Sequence, residues 1–299
     1  MTSSSGDPVP RALLIVNPAA GRGRGQAAAR LAAEALRAHG WEVEEAATRG
    51  PQDHEVLARV NDGYDLLLPV GGDGTLHEAL GQWEGAEHAI PLAPIPAGSG
   101  NSLALDLGVR TPEEAVQGIL AGRRRVLDGI RVRLDGERVL RSINIVGWGA
   151  AARINARAEL HRWARGRRYD VASVLELLAP RLRPACARVD GERDDRLLLG
   201  VASITQHSGR GMRLAPDAVL DDGLFDVVTL KRGFRPRLLG LLAAVQTGAH
   251  AGSSLVELRQ ARTLSLVLED DAGLVVDGEW VAARAAELEI VPGLCELWC

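Results

Sequence analysis

The sequence predicts an α/β protein: a parallel-sheet domain over about the first 125 residues, followed by a β-rich second domain. Three observations predict it. Strand-like and helix-like segments alternate through the first part of the chain, the order that builds a parallel sheet with helices on both faces. The character changes near Arg123–Leu127, after which most segments read as strands. The length of 299 residues is that of about two domains.

Taken in order, MTSSSGDPVP (1–10) is polar and rich in Pro and Gly and reads as a disordered tail. It lacks the basic start and apolar run of a signal peptide. RALLIV (11–16) is a short β-rich run, and the Ala-rich stretch 25–39 is helical up to Gly40. WEVEEA (41–46) alternates like a strand, and 51–60 reads as a helix. DLLLPV (65–70) is continuously apolar, as expected of a strand buried on both faces. TLHEALGQW (75–83) is helical and IPLAPI (90–95) is a further strand. Residues 126–150 then read as strands around a DGE turn at 135–137. Helical stretches follow at about 151–164, 170–179 and 235–248, among strands near 185–190, 195–206, 224–230, 263–268 and 273–277.

Composition narrows the function. A hydrophobic share of 46% supports a sizeable core, and a charged share of 25% is ordinary for a soluble protein. The formal net charge of −4 argues against a general nucleic-acid binder, since no uniform basic field neutralises phosphates. Lys231 is the only lysine and no GxxxxGK[ST] motif is present, so any phosphate grip must come from backbone amides, Arg and a metal. Cys186, Cys295 and Cys299 have no metal-ligand spacing and read as reduced cytosolic thiols. No apolar run approaches the roughly 20 residues that span a bilayer.

Three glycine-rich loops stand after the first, third and fourth strands: NPAAGRGRG (17–25), GGDGT (71–75) and PAGSGNS (96–102). Ligands of open α/β sheets sit beyond these strand ends. Glycine lets the backbone approach a phosphate, and successive amides with the following helix N-terminus form an anion nest. Thr75 and Ser99 are placed to cap those helices. Asp73 would repel phosphate unless it holds Mg²⁺, directly or through water. One such loop reads as a tight turn; three at one sheet edge, one carrying an acid, favour a phosphate site. His77, following GGDGTL, stands next to it, and His207 is a second histidine placed to line a cleft.

NPAAG (17–21), GGDGTLHE (71–78) and PAGSGN (96–101) resemble, in order, the three nucleotide loops of the diacylglycerol kinase catalytic-domain family. That family includes bacterial diacylglycerol kinases and related lipid kinases, sphingosine kinases and ceramide kinases. GGDG alone is shared with NAD kinases and phosphofructokinases, so the ordered set carries the likeness. It extends through SINIVGWGAAARINARAELHRWARGRRYD (142–170), APDAVLDDGLFDV (215–227) and VVDGEW (275–280). PAGSGN, VGWG and QTGAH (246–250) lean towards the sphingosine-kinase-like branch. The resemblance implies an NAD kinase/diacylglycerol kinase-like nucleotide domain at 11–125 and a β-sandwich acceptor domain at 126–285. The last strand, 286–299, then returns to the first domain.

The resemblance also implies roles. Asn17 and Gly21 lie in the first ATP loop, and Thr48 matches a nucleotide-contacting threonine. Gly71, Gly72, Asp73, Gly74 and Thr75 hold phosphates, with Asp73 tied to Mg²⁺ and forming the catalytic group with Asp277 and Glu279. Ser99 and Asn101 belong to the third loop, Ser99 standing where many bacterial members have Thr. Asp277 and Glu279 match an acidic pair near the transferred phosphate, Glu279 being the usual candidate base. Val219, Asp222 and Leu224 match a second metal site of two carbonyls and a carboxylate, a donor set suited to Mg²⁺. VDGEW and DDGLF, taken alone, read as turns; the family pattern gives them chemistry.

The activity implied is transfer of the γ-phosphate of ATP to a lipid hydroxyl, with diacylglycerol or a related lipid as first choice, by a cytoplasmic enzyme peripheral at the membrane and compatible with a homodimer. Residues 151–180 mix apolar side chains with Arg162, Arg165, Arg167 and Arg168 and read equally as an acyl-chain cover or as a solvated amphipathic helix. Arg153 stands where relatives that bind amino-lipids carry an acid, which argues against a sphingoid amine. An NAD-kinase-like or other small-molecule kinase is the second reading, opposed by the β-rich second domain. A non-catalytic nucleotide-binding regulator is the third, opposed by Asp73, Asp222, Asp277 and Glu279.

Overall fold

The computed structural model describes residues 9–50, 53–80, 90–98, 100–160, 172–176, 185, 187–194, 196–209, 211–268 and 273–299. The chain divides into two compact units. One comprises the residues up to Arg125 together with Cys295–Cys299; the other is Val126–Leu294.

The first unit is built on strands β1 (Arg11–Val16), β2 (Glu42–Ala47), β3 (Leu66–Gly71) and β4 (Ile95–Pro96), paired in the order β2-β1-β3-β4. Every pairing is parallel, so all four strands end at one edge. β3 is buried along its whole length, which explains its unbroken apolar run. Helices α1 (Arg24–Ala38), α2 (His54–Ala58), α3 (Asp73–Leu80), α4 (Ser102–Asp106) and α5 (Pro112–Leu120) connect or follow them. α1 buries Ala28, Ala29, Ala32, Ala33 and Leu36 in one core with Leu14, Val16, Leu68, Val70 and Ile95. Small side chains at helical spacing let that helix lie close to the sheet. α5 starts where the sequence says it should: Thr111 accepts from the Glu114 amide at 3.2 Å, and Pro112 occupies the first turn.

β4 is shorter than the run IPLAPI suggests. Pro91, Pro94 and Pro96 have no N–H to give to a ladder. Leu92 makes only isolated parallel bridges, to Leu67 and to Leu297. The Leu297 bridge brings Cys295–Cys299 into the first unit. The Cys299 amide donates to Arg123 O at 3.1 Å, and a Cβ on Gly118 would lie 1.9 Å from the Cys299 carbonyl carbon.

The second unit holds two six-stranded sheets, the β-sandwich expected of it. One has β5 (Arg124–Leu134), β6 (Arg138–Ser142), β8 (Ala187–Val189), β9 (Glu192–Arg193), β15 (Thr263–Leu268) and β18 (Ala285–Trp298), ordered β6-β5-β18-β15-β8-β9. The other has β7 (Ile145–Gly149), β10 (Leu197–Ser203), β13 (Phe225–Lys231), β14 (Val256–Ala261), β16 (Leu274–Val276) and β17 (Glu279–Val281), ordered β14-β13-β10-β7-β16-β17. β11 (His207–Ser208) and β12 (Met212–Arg213) form a small ribbon. α6 (Ala150–Leu160), a short helix α7 (172–176) and α8 (Arg235–Ala244) accompany the sheets. Among the described residues no helix is long and apolar enough to cross a membrane.

Three turns in this unit share the sequence Asp-Gly-Glu. Asp135-Gly136, Asp190-Gly191 and Asp277-Gly278 all take positive φ at both residues, the geometry Asp-Gly supplies most readily to hairpins. In each, the aspartate clamps neighbouring backbone. Asp135 Oδ1 accepts from the amides of Arg284 and Ala285 at 3.0 and 2.8 Å. Asp190 Oδ1 accepts from the Ser265 amide at 2.9 Å. Asp277 does so in a buried setting, described below.

Candidate active site

In the first unit the parallel register gathers the three glycine loops at one sheet edge, and each is pinned to another. Asn17 Nδ2 donates to Thr75 Oγ1 at 3.4 Å. A Cβ on Gly21 (φ +55°) would lie 2.1 Å from Ala97 O, and a Cβ on Gly98 would lie 2.4 Å from Gly72 Cα. Asp73 reaches the third loop: its Oδ2 accepts from the Ser102 amide at 3.0 Å and its Oδ1 from the Leu103 amide at 3.4 Å. Loops one, two and three are thereby one interlocked cradle.

The glycines of GGDGT divide by what they touch. A Cβ at Gly71 would strike Thr75 Oγ1 at 2.2 Å, and one at Gly72 would press on Gly98 Cα at 3.3 Å. Gly74 has no such neighbour within 4 Å and is exposed in the first turn of α3. The fold itself does not need glycine there. Close approach of a ligand to free first-turn amides is a reason that remains.

Several assignments change in detail. Thr75 is not the cap of α3, because that helix begins at Asp73 and Thr75 lies buried inside its first turn. Asp73 is partly committed to the amides that open α4. Asn101, not Ser99, precedes α4; it takes φ +56° and its amide closes on Gly98. Ser99 lies outside the described residues. Thr48 is buried just beyond β2, where its amide and hydroxyl both donate to Val16 O, at 2.8 and 3.3 Å. His77 is half-buried on α3.

In the second unit, Asp277 is 7% exposed. Its Oδ1 accepts from Ser142 Oγ (2.6 Å) and from the amides of Asn144 (3.1 Å) and Ile145 (2.9 Å), and its Oδ2 from the Ile143 amide (3.0 Å). Asn155 of α6 donates to Gly278 O at 2.7 Å. Asp277 therefore fixes the hairpin to the β6–β7 crossover. Glu279, two residues on, is half-buried at the start of β17, and its carboxylate makes no hydrogen bond among the described residues. Of the acidic pair, it is the carboxylate not spent on backbone donors.

The loop Val219–Leu224 stands on Asp128, which sequence reasoning missed. Asp128 is 2% exposed; its amide donates to Leu220 O, and its carboxylate accepts from the Gly223 and Gly293 amides at 2.7 and 2.8 Å. Only its burial gives it away, because VLDG reads as another turn. Asp222 is exposed and caps the Leu224 amide at 3.0 Å. The Val219 and Leu224 carbonyls accept no backbone hydrogen bond outside the strand ladders among the described residues. Asp226 lies beside them, its carboxyl pushed up to about 6 by burial, with the charges of Asp222 and Asp217 adding to the rise. Two carbonyls and a carboxylate in a locally negative loop fit a hard divalent cation. No cluster of three or more His, Cys, Asp or Glu poised to hold a metal exists among the described residues.

Most of 161–184 lies outside the described residues, so the acyl-chain reading of 151–180 is not addressed there. Within what is described, the reading of Arg153 needs correction. Its Nε pairs with the buried Glu176 at 2.6 Å, and Arg157 joins the same carboxylate at 3.2 Å. Arg153 thus offers no lone cation to repel an amine. Cys295 and Cys299 are buried free thiols, both pushed up by burial, Cys295 to about 12; Cys186 lies outside the described residues.

Comparison with known proteins gives two family matches. The diacylglycerol kinase catalytic domain matches residues 11–132, and the YegS C-terminal NAD kinase beta sandwich-like domain matches residues 144–299. A diacylglycerol kinase of Mycobacterium tuberculosis is 31% identical over 294 residues, covering 95% of this chain and 93% of the relative. A probable YegS-like lipid kinase of Stenotrophomonas maltophilia is 31% identical, covering 95% and 94%. The crystal structure of a putative diacylglycerol kinase from Bacillus anthracis superposes with a TM-score of 0.80 at 19% identity, over 100% of this chain and 98% of that one.

Proposed function

Because the chain belongs to the diacylglycerol kinase catalytic-domain family, we propose that it is an ATP-dependent lipid kinase that phosphorylates a lipid hydroxyl, with diacylglycerol as the first acceptor to try. The observation that carries this reading is the interlocked cradle of three glycine loops at one edge of a parallel sheet. In this reading Asn17, Gly21, Thr48, Gly71–Thr75, His77, Ser99 and Asn101 serve the nucleotide. The amides around Gly74 receive phosphate oxygens, as helix N-termini do.

ATP when bound supplies the phosphoryl group, and Mg²⁺ spreads its charge. The residues that would hold Mg²⁺ in the second unit are Val219 and Leu224 through their carbonyls and Asp222 through its carboxylate. Glu279 accepts the proton of the attacking hydroxyl. Asp277 acts through Glu279, as a positioning residue that fixes the hairpin carrying it. Asp73 holds α4 to the second loop and keeps a carboxylate at the cradle. With Arg153 ion-paired to Glu176, the choice between a neutral diacylglycerol and a sphingoid amine rests on assay.

The test is transfer from labelled ATP with Mg²⁺ to a panel containing diacylglycerol, sphingosine and NAD, each in mixed micelles or free as its solubility requires. Label entering a lipid, and lost with Asp73→Asn, supports the reading. Label entering only NAD, or ATP turnover indifferent to any acceptor, refutes it.

A further inference from the structure

A short buried polar segment joins two parts of the candidate site that the strand ladders do not join. The pairing of β7 with β10 ends at Ile145–Ser203, and that of β10 with β13 ends at Ser203–Asp226. Residues 204–206 lie beyond both ladders. Asn144, Ser203 and Thr205 are nevertheless buried, so their polar atoms need partners within the protein.

Asn144 is the hub. Its amide donates to Asp277 Oδ1 at 3.1 Å, its carbonyl accepts from the Ile204 amide at 3.0 Å, and its Oδ1 accepts from Thr205 Oγ1. Thr205 Oγ1 also reaches the His207 carbonyl at 2.9 Å. Gln206, the next residue, engages the other end of the site. Its Nε2 donates to Ala218 O at 3.1 Å, and its carbonyl accepts from the Ala215 amide at 3.2 Å. Ala218 immediately precedes Val219, the first carbonyl of the candidate cation loop. Asp277, at the opposite end, stands two residues before Glu279. All of these residues belong to one unit, Val126–Leu294.

We infer that Thr205 and Gln206 are positioning residues that couple the cation loop Val219–Leu224 to the hairpin carrying Glu279. The ladders pair without the Thr205 hydroxyl, and Asp277 holds the Asn144 amide without it. What the hydroxyl adds is the side-chain link from Asn144 to the segment that holds Ala218. Restraint of the Val219 carbonyl by a bound cation restrains the Ala218 carbonyl one peptide away. Gln206, Thr205 and Asn144 pass that restraint to Asp277, through buried bonds that have little freedom to relax. The inference rests on the lipid-kinase reading for the roles of the loop and of Glu279. The coupling itself is a property of the chain's own hydrogen bonds.

The experiment is amide hydrogen exchange of the full chain, read by mass spectrometry without ATP, with and without Mn²⁺ as a probe cation suited to oxygen ligands. Segments 219–224 and 275–281 are followed. The expected result is that Mn²⁺ slows exchange in both, the hairpin by about tenfold. Thr205→Val keeps the volume of the side chain and removes its hydroxyl. It retains the slowing at 219–224 and loses it at 275–281, and Thr205→Ser restores it. Gln206→Met, which removes the donor to Ala218 O, also loses the hairpin response. Circular dichroism establishes that the variants fold, and Gln206→Met, at a half-buried position, carries the test if Thr205→Val does not. Hairpin slowing that is equal in wild type and in both valine and methionine variants overturns the inference. So does a wild type in which Mn²⁺ slows only 219–224, or neither segment. In the kinase assay Thr205→Val lowers kcat about tenfold at unchanged KM for ATP, and Thr205→Ser restores it; an unchanged kcat overturns the assignment. Because exchange is read without nucleotide or acceptor, its failure leaves the lipid-kinase reading to its own assay.

Discussion

Replacing Asp277 by Ala separates a structural from a purely chemical role. Four donors converge on this carboxylate: the Ser142 hydroxyl and the amides of Ile143, Asn144 and Ile145. Alanine leaves them without that acceptor in a site where Asp277 is 7% exposed. An orphaned buried donor costs about 1–3 kcal/mol. The hydroxyl can turn elsewhere and water can enter the gap, so the sum is about 4 kcal/mol. The backbone adds to this, because φ is +48° and a Cβ-bearing residue without a short polar side chain loses about 1 kcal/mol there. The expected total is about 5 kcal/mol. The second unit, Val126–Leu294, is of a size at which each kcal/mol moves Tm by about 2–4 °C. Asp277→Ala should thus melt about 10–20 °C below wild type. Asp277→Asn tolerates the left-handed turn and keeps one acceptor oxygen, but turns its NH₂ on the Ile143 amide, for a loss of about 1–2 kcal/mol. Thermal unfolding by far-ultraviolet circular dichroism reads both. An Asp277→Ala protein that melts with wild type while its kinase activity is gone refutes the clamp.

Glu279→Gln should lower kcat by about 10²–10⁴-fold with Tm unchanged, measured as labelled phosphate transferred; retained turnover moves the proton acceptor elsewhere. Gly21→Ala, with its Cβ driven to 2.1 Å from Ala97 O at φ +55°, should part the first loop from the third and raise KM for ATP about tenfold or more, with little change in acceptor KM. Asp73→Ala strips the two amides that open α4 and should cost about 1 kcal/mol of stability besides turnover, whereas Asp73→Asn keeps an acceptor and should lose turnover with less loss of stability. Asp226 gives a pH signature. Its folded carboxyl titrates near 6, against 3.8 ordinarily. Between those values the folded chain keeps a proton that the unfolded chain has released, so its contribution is full below the lower value and lost as pH rises through the upper. In metal-free buffer above pH 6, Asp226→Asn should be more stable than wild type by up to about 3 kcal/mol, and the gap should close near pH 4; chemical denaturation at both pH values reads it.

The parallel sheet was legible because burial on both faces writes itself as apolar runs: RALLIV and DLLLPV fall on β1 and, within a residue, on β3. β14 was not legible. VELRQA alternates only over its first four residues, and none of its side chains is fully buried. Helix α5 left a signal in Thr111-Pro112 and Glu114 that the hydrophobic pattern alone did not reveal. The glycine loops could be read because glycine reports a backbone need locally. The partners of the acids could not. Asp73 finds the Ser102 amide and Asp277 finds Ser142, 29 and 135 residues away in sequence, and such pairings follow from topology rather than from spacing. The repeated Asp-Gly-Glu turns show the same limit. Asp135, Asp190 and Asp277 share one local geometry, and only burial by distant chain sets the third apart.

The bridge from Leu92 to Leu297 ties the order of synthesis to the order of folding. A ribosome releases all the loops of the cradle early, yet the sheet beneath them lacks its closing backbone partner until Cys295–Cys299 emerges, with the entire second unit made in between. Until then the surface of α5 around Gly118 stays uncovered. A fragment ending near Arg125 is therefore a poor surrogate for the nucleotide half. A circular permutant that places 295–299 ahead of Arg11 would let that half mature first.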